Sequence, residues 1–353
     1  MKRKDVTKEL ASEVKYYREE VGLNVRTVSK FMNISMQDVT KIINSKVYKE
    51  VTAEEPSERD THWKMEGIRD LSTEQIIQKL RHFGVEFSEE RFLKDVKNLY
   101  SPGKLADHWM EIHPVTAKGF DEDFIWMAAT ILWERLAPNV VNSEQINEAM
   151  QKGYDLMAEN NTREGCEKWL ETWGLIREVT PPEVTTLGEI DGILRMTQSV
   201  FNWCQDFEME LRNAGRRDKK YYRELIDYVN EFFSTFPDHE NELIDLNMRR
   251  AEADSYFELG EFARGEEKYE ELTERHPNNV YGYLSWGDQY CWDRAKPEPD
   301  YERAENLYLS GLENALKGDR EGDVEAALNR LEDLYEKTSD PEKIEIVKEE
   351  YGL

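Results

Sequence analysis

The spacing of apolar residues is the feature that most restricts what this chain can fold into. Nearly every window places them at i, i+3, i+4 and i+7, the period of an amphipathic α-helix, and few windows alternate as strands do. Residues 121–139, DEDFIWMAATILWERLAPN, are apolar almost all round, which predicts a helix buried at the centre of its domain. Short stretches rich in Val and Thr, such as residues 178–188, depart from this period. We therefore expect an all-α protein.

Breaks in the apolar period divide the chain, whose 353 residues suffice for two or three folding units at roughly 100–200 residues each. The stretch EVTAEEPSERD, residues 50–60, is acidic, contains Pro56 and has no apolar period, which is typical of a linker. Ser72 or Thr73 is a candidate N-cap of a later helix, and Gly84 is a candidate helix stop. The predicted organisation is a head at 1–49, an acidic linker at 50–65, a helical middle segment at 66–141 and a body at 142–353.

Charge is distributed unevenly between the predicted head and the rest of the chain. The formal net charge is −27, yet residues 1–50 carry eleven Lys or Arg against seven Asp or Glu, a balance of +4 that leaves −31 for the remaining residues. Electrostatic screening at physiological salt has a length of about 8 Å, so a distant acidic body weakens the attraction of a basic head for a polyanion without cancelling it. The net charge therefore does not exclude binding of nucleic acid.

Several function classes find no support in the sequence. The three cysteines lie far apart and form no CxxC pair, and no apolar run reaches the roughly 18–20 residues of a membrane helix. The start, MKRKDVTKELASE, lacks the apolar segment of a signal peptide. Gly-rich phosphate loops, HExxH and GxSxG are absent, and His108, Glu111 and His113 are spaced poorly for one helix face. We expect a cytoplasmic protein that does not bind membranes, is not an enzyme, and needs no cofactor or metal.

The last third of the chain contains an internal repeat of 34 residues. In residues 246–279, small, aromatic and turn residues occupy fixed positions: Ala253, Tyr256, Gly260, Gly265, Tyr269 and Pro277. Moving on by 34 places Tyr283, Trp286, Gly287 and Tyr290 at equivalent positions, and after about five inserted residues Ala304, Tyr308 and Gly311 follow. This pattern resembles the tetratricopeptide repeat, in which two antiparallel helices pack through such residues. The resemblance implies an α-helical solenoid over residues 142–353, closed by a polar C-terminal cap.

A repeat stack of this kind implies a groove that binds an extended or helical peptide. Aromatic residues of a repeat normally pack in the core, and the alternative is that a dense group of them lines the groove: Tyr281, Tyr283, Trp286 and Trp292. An acidic lining would favour a basic or amino-terminal ligand. The middle and body also resemble uncharacterised bacterial helical proteins with tetratricopeptide-like tails that often carry a SEC-C zinc motif. That cysteine cluster is absent here, so zinc binding is not carried over.

Residues 10–46 form the second recognisable pattern. The stretch VRTVSKFMNISMQDVTKIINSK places apolar Val28 before small Ser29, Asn33 at a turn that needs a left-handed backbone, and Val39 and Ile42 along the next helix. It resembles the helix-turn-helix of lambda-repressor-like and lac-repressor-like regulators. The resemblance implies that the second helix enters the major groove of double-stranded DNA.

Each candidate contact residue then has an implied role, and the candidates are Asn24, Arg26, Ser35, Met36, Gln37, Asp38, Thr40, Lys41 and Asn44. Gln37 would read an adenine edge and Met36 a thymine methyl group, while Asn24, Arg26 and Asn44 would contact phosphates. Ser35 would cap the helix, with Met36, Gln37, Thr40 and Lys41 on its exposed side. Asp38 departs from the pattern, because a carboxylate can only accept, for example from a cytosine amino group; alternatively it serves the helix dipole.

Two function classes follow from these resemblances. The first is a bacterial or prophage transcriptional regulator, acting as a homodimer, whose repeat body binds a controlling peptide or protein; this layout is similar to peptide-sensing regulators of Gram-positive bacteria. The second is an interaction or scaffold protein whose helix-turn-helix no longer binds DNA. DNA binding that weakens steeply with salt separates the two.

Overall fold

A computed structural model describes residues 7–20, 25, 28, 29, 32, 34–53, 63–239, 241–291, 298–318 and 321–353. The all-α prediction is confirmed for these residues, which form helices, turns and irregular segments and no strand. The chain divides into two compact units, Met1–Glu144 and Gln145–Leu353. No helix within the described ranges is both long and apolar enough to cross a membrane.

In the first unit, Val25, Val28 and Ser29 are helical, and eight α-helices have both ends among the described residues. They are α1 (Lys8–Lys15, continued by a π-helical segment Tyr16–Glu20), α2 (Met36–Ile43), α3 (Lys46–Ala53), α4 (Met65–Arg69), α5 (Thr73–His82), α6 (Glu89–Leu99), α7 (Pro102–Ile112) and α8 (Phe120–Leu136). Residues 50–53 of the predicted linker are therefore helical, because α3 continues to Ala53, three residues before Pro56. The rest of that linker, up to residue 62, lies outside the described residues.

The head has a small apolar core of its own. Helix α1 packs against α2 and α3, and the buried side chains are Ala11, Val14, Val28, Val39, Ile42 and Tyr48. Burial of this set removes about 1.5–3 kcal/mol of unfavourable hydration for each large aliphatic side chain. The core therefore fixes which side of α2 faces inward.

Helix α8 is the central element of the middle segment, as its apolar sequence predicts. It packs against α4, α5 and α7 and buries Phe124, Ile125, Ala128, Ala129, Ile131, Leu132 and Trp133. Ser72 caps α5 in a capping box with Gln75. Gly84 follows that helix at φ +89°, where an added Cβ would lie 2.4 Å from the carbonyl oxygen of Pro114. This close backbone approach requires glycine.

The second unit continues the chain as successive helices. They are α9 (Ser143–Ala158, which begins in the first unit), α10 (Thr162–Val179), α11 (Leu187–Leu194), α12 (Val200–Gly215), α13 (Lys220–Thr235), α14 (Glu242–Glu258), α15 (Phe262–Arg275), α16 (Val280–Cys291), α17 (Tyr301–Lys317), α18 (Glu321–Lys337) and α19 (Lys343–Tyr351). Helices α12 and α13, α14 and α15, α16 and α17, and α18 and α19 form hairpins in which each helix packs on the next.

The first helices of these hairpins also pack on one another, α12 against α14, α14 against α16, and α16 against α18. Small residues allow aromatic rings to fill the space between neighbouring helices: the ring of Tyr308 lies over Gly287, and the indole of Trp169 lies over Gly153. An added Cβ at either glycine would come within 2.4 Å of the ring above it. The contacts between the first helices of successive hairpins place these helices side by side in one layer.

Candidate functional site

Helix α2 of the head is held in place at its start and along its buried face. Ser35 has extended backbone geometry, and its hydroxyl oxygen accepts a hydrogen bond from the Asp38 amide at 3.1 Å, which makes it the N-cap of α2. Val39 and Ile42 are buried in the head core. Ser29, which precedes α2, donates its hydroxyl hydrogen to the Ile34 carbonyl at 2.6 Å. These contacts orient the opposite face of α2 outward.

That outward face carries most of the predicted DNA-contact residues. Met36 is 50% exposed, and Gln37, Thr40, Lys41 and Asn44 are also exposed. Their spacing of i, i+1, i+4, i+5 and i+8 places them along one side of a helix. The Gln37 side chain makes no hydrogen bond to any described residue, so its amide is available for a ligand.

Asp38 is committed to the start of α2. Its Oδ2 accepts a hydrogen bond from the Ser35 hydroxyl at 2.7 Å, and its Oδ1 lies 3.5 Å from Nζ of Lys41. The hydrogen bond from Ser35, together with Lys41, lowers the pKa of the Asp38 carboxyl. An ionised carboxylate in the first turn also interacts favourably with the helix dipole. The geometry therefore favours the capping alternative over contact with a cytosine.

Two further contacts limit what neighbouring residues can offer. Thr40 donates its hydroxyl hydrogen to the Met36 carbonyl at 2.9 Å, so towards a ligand it presents an acceptor oxygen and a methyl group. Asn44 is the C-cap of α2 and is exposed. The predicted phosphate contacts Asn24 and Arg26, and the turn residue Asn33, lie outside the described residues.

The aromatic residues proposed for the repeat groove have different surroundings. Tyr281 is 44% exposed, whereas Tyr283 is half-buried and burial raises the pKa of its hydroxyl. Trp286 is only 7% exposed, with its ring stacked on Tyr269 at a centroid distance of 5.7 Å and Arg303 lying over it. Trp286 therefore packs in the core between helices, which is the default interpretation for a repeat aromatic residue. Trp292 lies outside the described residues.

A repeated carboxylate contact on the first helices was missed by the sequence reasoning. Oδ1 of Asp254 accepts hydrogen bonds from the Tyr269 hydroxyl and, at 2.8 Å, from Nε2 of Gln289 in the next hairpin. Oδ1 of Asp288 accepts them from the Tyr308 hydroxyl at 2.8 Å and, at 2.9 Å, from Nε of Arg330 in the hairpin after that. The two aspartates are 34 residues apart, which is the signal that could have identified them.

The second oxygen of each aspartate makes no hydrogen bond to a described residue. Burial raises the pKa of Asp254, against the effect of the Tyr269 hydrogen bond. Glu208, on α12, is 6% exposed; its Oε1 accepts no hydrogen bond from a described residue but lies 3.5 Å from Nε of Arg212, and burial raises the pKa of Glu208 despite nearby Arg212 and Arg250. We call the side of α14 and α16 that carries the two aspartates the repeat face. It can accept hydrogen bonds from amide or ammonium groups.

Comparisons of this chain with protein-family models, with curated proteins and with solved structures find no match.

Proposed function

We propose that this protein is a DNA-binding transcriptional regulator whose body binds a controlling peptide. The observation that carries the proposal is α2: the apolar side is buried in the head core, and the opposite side presents an unpaired amide, an apolar side chain and a lysine to solvent. An α-helix presented in this way fits the major groove, which is about 12 Å wide.

Each exposed residue of α2 then has a distinct task. Gln37 pairs with the N6 and N7 edge of an adenine, and Met36 contacts a thymine methyl group. Lys41, whose side chain is 72% exposed, pairs with a phosphate once its long contact with Asp38 opens. Asp38 keeps the helix start ordered and contributes no base contact.

Dimerisation is part of the proposal because one head has little charge to bind with. A balance of +4 in the first fifty residues supports few phosphate contacts, and the −31 of the remaining chain opposes non-specific attachment. Two heads on half-sites about 34–36 Å apart double the base contacts without a larger head.

The body supplies control through the repeat face. Asp254 and Asp288 are one repeat apart, and each keeps one oxygen unpaired, so together they suit N–H donors spaced along an extended peptide. A bound peptide shifts the regulator only if its affinity differs between the DNA-binding and non-binding states.

The DNA-binding part of the proposal is tested by fluorescence anisotropy. The full chain is titrated into labelled duplexes of random sequence at a series of salt concentrations. We expect binding whose logarithm falls linearly with the logarithm of salt concentration, and enrichment of particular sequences in the bound fraction. Lys41→Glu should weaken binding to all duplexes and reduce the salt slope by about 1, and Gln37→Ala should relax preference at one base position by about 1–3 kcal/mol.

Lys97→Glu is the matched control, since it makes the same charge change on the exposed side of α6. It should leave DNA binding unchanged. If the full chain binds no duplex even at ~50 mM salt, the regulator proposal is wrong and the interaction-protein alternative takes its place.

A further inference from the structure

A buried aspartate joins three segments of the second unit. Asp245, in the first turn of α14, is 3% exposed. Its oxygens lie 3.0 Å from Nε2 of His239, 2.6 Å from Nε2 of His276, 2.9 Å from Nε of Arg249 and 3.1 Å from Nε of Arg275. The first of these partners belongs to the turn between α13 and α14, and the second and fourth belong to the end of α15. One carboxylate thus ties that turn to two helices.

The ring of His239 lies between two hydrogen-bond acceptors. Its Nδ1 is 2.9 Å from the carbonyl oxygen of Phe236, and its Nε2 is 3.0 Å from Oδ1 of Asp245. A neutral imidazole carries one N–H and can satisfy only one of them, whereas an imidazolium donates to both. The geometry therefore selects the doubly protonated ring.

The surrounding charges agree with this assignment. The described charged or titratable groups around the ring are Asp238 in the turn, Glu242, Asp245 and Arg249 on α14, and Arg275 and His276 on α15. The hydrogen bond to Asp245 raises the pKa of His239, against burial and the repulsion of Arg249. Burial alone would raise the pKa of Asp245, but hydrogen bonds from His239, His276 and Arg249 hold it well below its usual range.

The turn also has a second attachment. The amide of Asp238 donates to the carbonyl of Thr185 at 3.1 Å, in the segment that precedes α11. Between these attachments lies an open cavity of about 550 Å³ lined by Thr185, Asp238, Glu242, Asp245, Arg275 and His276. Because the turn connects the α12–α13 hairpin to the α14–α15 hairpin, its state affects how the two hairpins are joined.

We propose that this turn is a proton-controlled latch, closed while His239 carries both ring protons and released when one is lost. The neutral ring must give up either the Phe236 carbonyl or Asp245, which loosens the turn and its bond to Thr185 and widens the cavity. Since the folded-state pKa of His239 is raised above 6.5, the latch contributes its full stability below that pH and loses it as pH rises through the folded value.

The first test is a pH titration of the imidazole ¹⁵N signals of the full chain, with free imidazole in the same tube as reference. The chain has six histidines, and the pair of ring signals that is missing from the spectrum of His239→Gln belongs to His239. We expect both nitrogens of His239 to keep their protons at pH values where the reference has lost half of its own. A ring that titrates together with the reference, or before it, overturns the proposal.

The second test is hydrogen exchange of the Asp238 amide, corrected for intrinsic rate, between pH 6 and 9. We expect protection to fall by a total of about tenfold for each pH unit by which the measured pKa of His239 exceeds 6.5. His239→Gln should abolish this pH dependence, and His82→Gln, on the exposed end of α5, should leave it intact. Protection that does not change with pH in the unsubstituted protein refutes the latch even if the pKa is raised.

Discussion

Replacement of Gly153 by alanine tests how closely α9 and α10 approach. The added Cβ would lie 2.0 Å from Nε1, 2.3 Å from Cδ1 and 2.7 Å from Cε2 of Trp169, whereas carbon atoms in contact are about 3.5–4.0 Å apart. The indole would have to move by more than an ångström. It is held by a hydrogen bond from Nε1 to the Met150 carbonyl at 3.0 Å and by edge contacts with Tyr154 and Trp203.

The expected cost is the sum of three effects. Overpacking costs about 1–3 kcal/mol, and loss of the indole hydrogen bond leaves a buried N–H unpaired at about 1–3 kcal/mol. Alanine regains about 1 kcal/mol of helix propensity. We therefore expect Gly153→Ala to lower the free energy of unfolding by about 1–5 kcal/mol. Gly174→Ala, in α10, meets nothing within 4 Å and should raise it by about 0.5–1 kcal/mol.

Urea unfolding followed by far-ultraviolet circular dichroism measures both variants, and the two midpoints should move in opposite directions. A double-mutant cycle with Trp169→Phe isolates the contact, since the smaller ring makes room for the Cβ and the two changes should be coupled by more than 1 kcal/mol. Additive effects, or a Gly153→Ala midpoint equal to that of the unsubstituted protein, would show that the indole does not lie on Gly153.

Two further predictions concern buried ionisable groups. In urea unfolding at pH 7, Asp245→Asn should lower the free energy of unfolding by about 3–5 kcal/mol, because it leaves charged partners buried without their carboxylate. Asp254→Asn, on the same helix, should lower it by less than about 1 kcal/mol, because burial already disfavours the ionised form of Asp254. Equal losses for the two would contradict the opposite directions of their pKa shifts. Burial raises the pKa of the Cys166 thiol to about 12, and also raises the pKa of Cys204 and Cys291, so a thiol reagent at pH 8 should label none of the three until urea is added.

Sequence periodicity sufficed for elements whose cause is local. The apolar residues of α8 lie within its own sequence, and the Ser72 cap depends on residues within one turn. Periodicity and capping chemistry therefore predicted both. The exposed face of α2 followed equally from the buried positions Val39 and Ile42. Composition alone did not predict that the first residues of the acidic stretch prolong α3 to Ala53.

Contacts between distant segments could not be predicted in the same way. Asp38 was ambiguous for a different reason, although its partner Ser35 is only three residues away: a carboxylate at a helix start serves a cap and a base contact equally well, and only the 2.7 Å bond from Ser35 distinguishes them. The His239 latch depends on segments as far apart in sequence as Thr185 and His276, and nothing in the spacing of His239, Asp245 and His276 indicates that they meet at one carboxylate.

The repeated aspartates give the stack of hairpins a property that apolar packing alone does not provide. Helices α14 to α19 share one apolar core, and apolar contacts are non-directional. The bonds from Gln289 to Asp254 and from Arg330 to Asp288 cross from one hairpin to the previous one, and each has a single geometry that satisfies it. We infer that these bonds set the register of the first helices. Because each carboxylate uses only one oxygen for this purpose, a ligand that binds the other oxygen would act directly on the contact that aligns successive hairpins.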